Sequence, residues 1–301
     1  MIFNIIKNIF LYSIFYNVAF AQINIVTTTP DLAYMARIIG GSNVNVFSLL
    51  EGTEDPHFVD ATPLFIQKAA EAKLFIQVGL GLEEGWTPRV LGRSGNRSIQ
   101  QEGEGLCTVG SDVTVLEKPV GKVDRSMGDV HGEGNPHFHL GPEAFKQGAH
   151  KVYKCLLKII PEKSDELTKG LEKINSEIVK AQKDTSQILK DIKNKVFAEY
   201  HKQFLYFFHE YGLKHAEPLE EIPGVPPSAG RLLSRAMLAK KENLYLLIAT
   251  PYHSKKTLNK FRELSNVRFL ILPSGIKEGT ESESFSFYKL QTYLAKELAR
   301  E

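Results

Sequence analysis

The sequence predicts an α/β protein of two lobes, each made of parallel-sheet βα units and joined by a long rigid helix. Short β-branched runs alternate with helical patterns early in the chain and again after residue 194, which is typical of helix-covered parallel sheets. One amphipathic stretch of about 30 residues separates the two alternating regions. The length of 301 residues also suits two domains of ordinary size.

The first lobe is assigned to residues 22–160. Its predicted elements are, in order, strand 23–29, helix 32–39, strand 44–50, helix 63–72, strand 74–78 and a helix from Pro142. The region 91–135 is rich in glycine and poor in apolar runs, so no elements are placed there.

The linking helix is assigned to residues 161–193 and follows Pro161. Its apolar residues recur at spacings of three and four, which predicts a helix about 45 Å long with one buried face. These apolar residues are Leu167, Leu171, Ile174, Ile178, Ala181, Ile188 and Ile192.

The second lobe is assigned to residues 194–301, where the βα pattern resumes. The predicted elements are strand 195–198, helix 201–211, strand 244–249, helix 255–264, strand 267–272 and helix 286–300. Ligands of such sheets bind beyond the carboxyl ends of the strands, which here places the site in the cleft between the lobes.

Composition and motifs exclude several classes of function. The 37 basic residues nearly balance the 35 acidic ones, which argues against a nucleic-acid binder. Two cysteines 48 positions apart exclude a four-thiolate zinc site and an iron–sulfur cluster, and a single Cys107–Cys155 bridge stays open. The chain contains neither a P-loop sequence nor a G-x-S-x-G nucleophile elbow.

The sequence predicts that residues 1–21 are a signal peptide, which is cleaved after Ala21. They contain one charge, Lys7, a short apolar run over 9–15, and small residues at positions −3 and −1, Ala19 and Ala21. The absence of a cysteine after this site excludes a lipoprotein anchor, and no later apolar stretch is long enough for a membrane span. We therefore expect a periplasmic protein whose mature chain does not cross the membrane.

Two copies of one tetrapeptide pattern supply candidate metal ligands. The first is Asp55-Pro-His57-Phe, and the second is Asn135-Pro-His137-Phe. A proline fixes the approach of the following side chain, and imidazole is a favoured ligand of transition metals. His201 directly follows a predicted strand and would point into the same cleft.

Two further histidines, His131 and His139, flank the second tetrapeptide. Together with Asp129 and Glu133 they could form a cluster that collects metal loosely or a solvated loop, and we favour the solvated loop.

The chain resembles the metal-binding subunits of bacterial zinc/manganese ABC importers over nearly all of its mature length. The resemblance lies in the order and spacing of five segments: Ile25-Val-Thr-Thr-Thr-Pro-Asp-Leu, Gly52-Thr-Glu-Asp-Pro-His57, Gly79-Leu-Gly-Leu-Glu83 with Trp86, Asn135-Pro-His137, and Tyr200-His201 with Phe207 to Leu213. It implies one divalent ion in the cleft with two ligands from each lobe, and His57, His137 and His201 stand at the family's histidine positions.

The fourth ligand departs from the family pattern. Thr250-Pro251 stands where many members have a glutamate before proline, and the aspartate expected ahead of the last helix is absent. We assign Glu283 to this role because it lies in that segment and a carboxylate would reduce the charge of a three-imidazole site. Glu281, His139, His253 and water are the alternatives.

The expected function is high-affinity capture of Zn²⁺, with Mn²⁺ second, for delivery to a membrane permease powered by a separate ATPase. Three imidazoles plus one oxygen favour zinc over manganese, which prefers more oxygen ligands. We expect a monomer without catalytic activity. The alternatives are an exported zinc-dependent hydrolase and a protein of the same fold that binds an organic chelate.

Overall fold

The computed structural model describes residues 22–121, 127–128, 130–279 and 285–300, and it contains two four-stranded sheets in which all paired strands are parallel. The first sheet comprises β1 (Ile23–Thr27), β2 (Val44–Ser48), β3 (Leu74–Gln77) and β4 (Leu106–Thr108). The second comprises β5 (Val196–Glu199), β6 (Lys214–His215), β7 (Leu244–Ala249) and β8 (Phe269–Ile271). Their orders, β2-β1-β3-β4 and β6-β5-β7-β8, are equivalent, so the two sheets repeat one topology.

Helices connect and cover these strands, as the alternating pattern predicts. They are α1 (Pro30–Gly40), α2 (Pro63–Glu71), α3 (Thr87–Ser94), α4 (Pro142–Ile159), α5 (Ser164–Leu189), α6 (Leu205–Tyr211), α7 (Ala229–Lys241), α8 (Lys255–Ser265) and α9 (Phe287–Ala299). Several begin at a side chain that accepts a hydrogen bond from the first turn, such as Thr62, Ser254 and Ser286. None of the helices in the described part of the chain is both long and apolar enough to cross a membrane.

The long helix α5 packs against α1, α4 and α9. Leu167, Ile174 and Ile178 are buried, and Leu171 and Ile188 pack against the core from partly buried positions. Short 3₁₀ turns at 161–163 and 190–192 continue the chain at either end of α5. The structure therefore confirms the predicted long helix. The division of the chain into lobes at the two ends of this helix stays a prediction.

One contiguous apolar core passes from the first sheet to the second. It contains Ile25 and Ile76 of the first sheet, Phe197 and Leu246 of the second, and the buried faces of α5 and α9. Phe287 of α9 stacks on Phe145 of α4 with ring centroids 4.0 Å apart. The last helix of the chain thus packs on the first half of the molecule.

Two predictions from the sequence are revised by the structure. The helix expected over 201–211 begins only at Leu205, because the Glu199 carboxylate accepts the backbone N–H groups of Gln203 and Phe204 and holds 200–204 as a tight loop. The Cys107–Cys155 bridge left open above is present and ties β4 to α4.

Candidate metal site

Three histidines from three separate β→α connections meet between the two sheets. His57 lies in the loop from β2 to α2, His137 just ahead of the 3₁₀ turn at Phe138–Leu140 that precedes α4, and His201 just after β5. One ring nitrogen of each lies within 4.8 Å of the others. Their ring centroids form a nearly equilateral triangle with sides of 5.4, 5.6 and 5.6 Å. The structure thus brings together three of the four site residues predicted from the sequence.

The side chain of Asp55 fixes both the backbone and the ring of His57. Its Oδ1 accepts the His57 backbone N–H at 3.1 Å and lies 2.7 Å from Nδ1 of the ring. Burial alone would raise the pKa of Asp55, but the hydrogen bonds and charge of His57 outweigh it and lower that pKa. An ionised Asp55 requires a proton on Nδ1, which leaves the lone pair of Nε2 free for a ligand.

The same backbone arrangement recurs at His137. Asn135 Oδ1 accepts the His137 backbone N–H at 2.9 Å, while Asn135 Nδ2 donates to the carbonyl of Lys202 at 2.8 Å, in the loop that carries His201. The repeated Asx-Pro-His pattern therefore has a structural role, because the Asx side chain sets the direction of each histidine. At the second copy it also joins the two halves of the molecule.

The ring of His137 is the strongest sign of a ligand at this place. The residue is 1% exposed, and neither Nδ1 nor Nε2 has a hydrogen-bond partner among the described residues. Burial, and after it the neighbouring histidines, hold the pKa of His137 well below its usual value, so the ring is neutral. Leaving buried polar atoms unpaired costs about 1–3 kcal/mol each, and a cation between the rings would remove that cost.

His201 is oriented by a carboxylate from another loop. Its Nδ1 lies 2.8 Å from Glu220 Oε2, which also accepts the backbone N–H of Gly224 at 2.9 Å. Burial lowers the pKa of His201, but the hydrogen bond and charge of Glu220 raise it more, so the net shift is upward. Sequence reasoning missed Glu220 because it is 19 residues from His201 and carries no motif.

The remaining candidates have different surroundings. His139 Nε2 donates to the carbonyl of Ser274 at 2.7 Å, and His253 Nδ1 accepts the backbone N–H of Thr250 at 3.0 Å. Neither ring belongs to the group of three. Glu281 and Glu283 lie outside the described residues, so the assignment of Glu283 stays a prediction.

The interpretation of His131 and His139 as part of a solvated loop is wrong. His139 is 7% exposed, and the ring of His131 is partly buried with its Nε2 3.2 Å from Nε2 of His57. Nothing in the glycine-rich sequence around His131 indicates this contact, which depends on how the chain returns toward the β2–α2 loop.

The geometry suits a transition-metal ion. Three imidazoles converge, and two of them are held by carboxylates at the nitrogen that faces away from the group, which is the usual support for zinc-bound histidine. Two topologically equivalent α/β halves with such a cluster between them define a two-lobed binding protein.

The comparison with known families agrees with this class. The model of the family described as "ZnuA: Zinc-uptake complex component A periplasmic" matches residues 25–300, and the chain belongs to that family.

Characterised relatives are similar at low identity over most of their length. The manganese ABC transporter substrate-binding lipoprotein PsaA of Streptococcus pneumoniae is 24% identical over 272 residues, covering 88% of this chain and 84% of that protein. The high-affinity zinc uptake system protein ZnuA of Yersinia pestis is 23% identical over 264 residues, covering 82% and 81%.

Solved structures show the same fold. The periplasmic zinc binding protein TroA from Treponema pallidum superposes with a TM-score of 0.78 at 17% identity, over 93% of this chain and 98% of that one. A crystal structure of ZnuA gives a TM-score of 0.76 at 22% identity with the same coverage. The two-lobed α/β fold predicted from the sequence is confirmed.

Proposed function

We propose that this protein captures a divalent transition metal, Zn²⁺ first and Mn²⁺ second, and delivers it to an ABC permease. His57, His137 and His201 are the ligands in this proposal. The main observation in its support is the buried ring of His137, which has no hydrogen-bond partner in the described part of the chain and faces two histidines oriented by carboxylates. The names of the relatives, which include both zinc and manganese binding proteins of ABC systems, support it.

Zinc is favoured by the chemistry of the donors. Neutral imidazole nitrogens in a tetrahedral arrangement suit Zn²⁺, whereas Mn²⁺ prefers carboxylate, carbonyl and water oxygens in a larger coordination sphere. Two carboxylates in contact with the cluster, Asp55 and Glu220, already pair with ring nitrogens. They are therefore poor sources of several oxygen ligands for manganese.

Transport rather than catalysis is the role we assign. A hydrolytic zinc site needs a free general base beside the metal-bound water. Asp55 and Glu220 are both engaged by histidine Nδ1 atoms, so neither offers a free base. The partners in this proposal are a permease and a separate ATPase, and the binding protein acts as a monomer.

Export is proposed to remove residues 1–21, which lie outside the described residues, and to leave Gln22 as the first mature residue. The intact mass of the protein recovered from a periplasmic fraction tests this. A chain that retains residues 1–21 would contradict both the cleavage and the location.

Thermal stability measured with and without zinc tests the binding proposal. An ion that binds only the folded chain stabilises it by RT ln(1 + [L]/Kd), which is about 4 kcal/mol at a thousandfold excess over Kd. We expect zinc to raise the Tm and EDTA to reverse the rise. His57→Ala, His137→Ala and His201→Ala should each abolish most of it.

His209→Ala and His215→Ala are the matched controls, because both residues lie outside the group of three. They should leave the zinc-dependent rise intact. Equal losses from all five variants would show that these three histidines are not the site.

A further inference from the structure

We propose that His131 is the fourth ligand, so that the ion is held by four histidines and no carboxylate. This inference rests on the proposed function and deepens it. It replaces the expectation of an acidic ligand from the segment before α9 with a residue from the glycine-rich connection between β4 and α4.

The distance between the ring nitrogens of His57 and His131 is that of two ligands on one zinc ion. A Zn–N bond of about 2.0–2.1 Å and a tetrahedral angle place two ligand nitrogens about 3.3 Å apart. The Nε2 atoms of His57 and His131 are separated by 3.2 Å. The same spacing suits a hydrogen bond between the two rings, so the positions of the other rings must decide between the two explanations.

The separations between the ring centroids are also close to those of imidazoles that share one zinc ion. Four imidazoles that point at one zinc ion have ring centroids about 5.2 Å apart, from the same bond length and angle. The observed centroid separations are 5.2 Å for His57–His131, 5.4 Å for His57–His137 and 5.6 Å for both remaining pairs within the group of three. His131 and His137 are 6.4 Å apart, so a shift of about 1 Å would bring these two rings to the same spacing.

The tautomers of His57 and His131 can satisfy the site both without and with a bound metal ion. Asp55 holds the His57 proton on Nδ1, so Nε2 of His57 is an acceptor and His131 donates its Nε2–H to it in the metal-free protein. A metal ion requires lone pairs on both Nε2 atoms, and His131 meets this by carrying its proton on Nδ1. His131 lines two open cavities, of about 880 and 220 Å³, through which solvent can exchange that proton.

The charge of the site does not call for a carboxylate ligand. Zn²⁺ with four neutral imidazoles carries a charge of +2. The carboxylates of Asp55 and Glu220, hydrogen-bonded to His57 and His201, supply two negative charges directly behind the ligands. The ion and its surroundings are therefore neutral without Glu283.

The residues on either side of His131 are held by a contact within their own connection and by contacts with the second half of the molecule. Asn135 donates its backbone N–H to Leu116 at 2.9 Å, and its side chain reaches Lys202 of the second half. Gly128 lies so close to the second half that a Cβ there would be 2.3 Å from the carbonyl oxygen of Pro223. His131 is thus placed over the three-histidine group by contacts on either side of it.

His131→Ala tests the proposal, with His150→Ala as the matched control because His150 lies on α4, where its Nδ1 donates to the carbonyl of Lys146. Zinc affinity is measured by chelator competition, and imidazole ligands are counted by X-ray absorption at the zinc edge. We expect four imidazoles in the wild type and His150→Ala, three in His131→Ala, and an affinity at least tenfold lower for His131→Ala alone. The Tm of each metal-free variant checks folding.

Several results would overturn the inference. If His131→Ala binds zinc as tightly as the wild type, or more tightly, His131 only covers the lone pair of His57. If Glu283→Ala weakens binding while His131→Ala does not, a carboxylate completes the sphere. These outcomes leave the proposed function intact, whereas a wild-type protein that binds no zinc refutes the proposed function itself.

Discussion

At the scale of single residues, the directions of the histidines are set by neighbours that accept hydrogen bonds. Asp55 and Asn135 each hold the histidine two positions later, and this part of the site could be predicted because the pattern Asx-Pro-His is local in sequence. Glu220 and His131 could not be predicted, because each reaches the cluster through the tertiary fold. Local motifs therefore predict the groups that are close together in sequence, and not those that the tertiary fold brings to the cluster.

As the pH is lowered, we expect metal affinity to begin to fall at a higher pH than it would for a histidine with the ordinary pKa. The pKa of His201 is lowered by burial but raised more by Glu220, and its net shift is above the usual 6.5. A protonated imidazole cannot bind metal. As the pH falls through that raised pKa, zinc must displace a proton from His201, so the loss of affinity begins above pH 6.5.

Chelator competition from pH 8 to pH 5.5 measures this loss. Glu220→Gln should move its onset to lower pH, because the neutral amide removes the charge that raises the pKa of His201. An affinity that is constant down to pH 5.5 in the wild type would contradict the role given to His201.

At the scale of elements, a clear hydrophobic period decided which strands and helices could be predicted from the sequence. The strand 244–249 and the helices near 255 and 286 lie where predicted, because their apolar residues follow one period and their first turns carry caps. Helix α7 was not predicted, since Leu233 and Met237 are apolar yet exposed and obscure its buried face. Strand β6 has only two residues, both exposed, so alternation could not reveal it.

The contact between α1 and α5 depends on a glycine. A Cβ at Gly170 would lie 2.4 Å from the carbonyl oxygen and 2.6 Å from Cα of Ile39. Both atoms are backbone, so the two helices must separate to accept Gly170→Ala. We expect this substitution to lower the free energy of unfolding by about 1–3 kcal/mol.

Gly92→Ala is the control for this substitution. Gly92 lies within α3, and nothing stands within 4 Å of a Cβ built there. Alanine should leave stability unchanged or raise it by up to about 1 kcal/mol, because it is the better helix former. Urea unfolding of both variants measures the difference, and a stabilising effect at Gly170 would disprove the close approach of α1 and α5.

At the scale of the whole molecule, the two halves share a large apolar core, and each half has a smaller apolar cluster of its own. The apolar cluster includes residues of both sheets and of α1, α4, α5, α6 and α9. The sequence predicted two lobes and a connecting helix, but the continuity of the core depends on α9 returning to pack on α4 and α5. No periodicity within α9 specifies that partner.

A shared core predicts cooperative unfolding. Scanning calorimetry of the metal-free protein should give one transition whose calorimetric and van't Hoff enthalpies agree, since neither half can lose its packing without exposing the other. Two resolved transitions would show that the halves are independent. The same experiment with saturating zinc should move the single transition upward without splitting it.

This continuous core also limits how the cargo can leave. A wide hinge movement would pull apart apolar surfaces, and exposing 200 Å² of them costs roughly 5 kcal/mol at about 25 cal/mol per Å². Residues 130–136 and 200–203, which surround His131 and His201, contribute no side chain to this shared core. A permease that remodels these two connections from outside therefore meets a lower barrier than one that spreads the halves. The metal would then be released by a local rearrangement of these two connections, while the two halves keep their relative position.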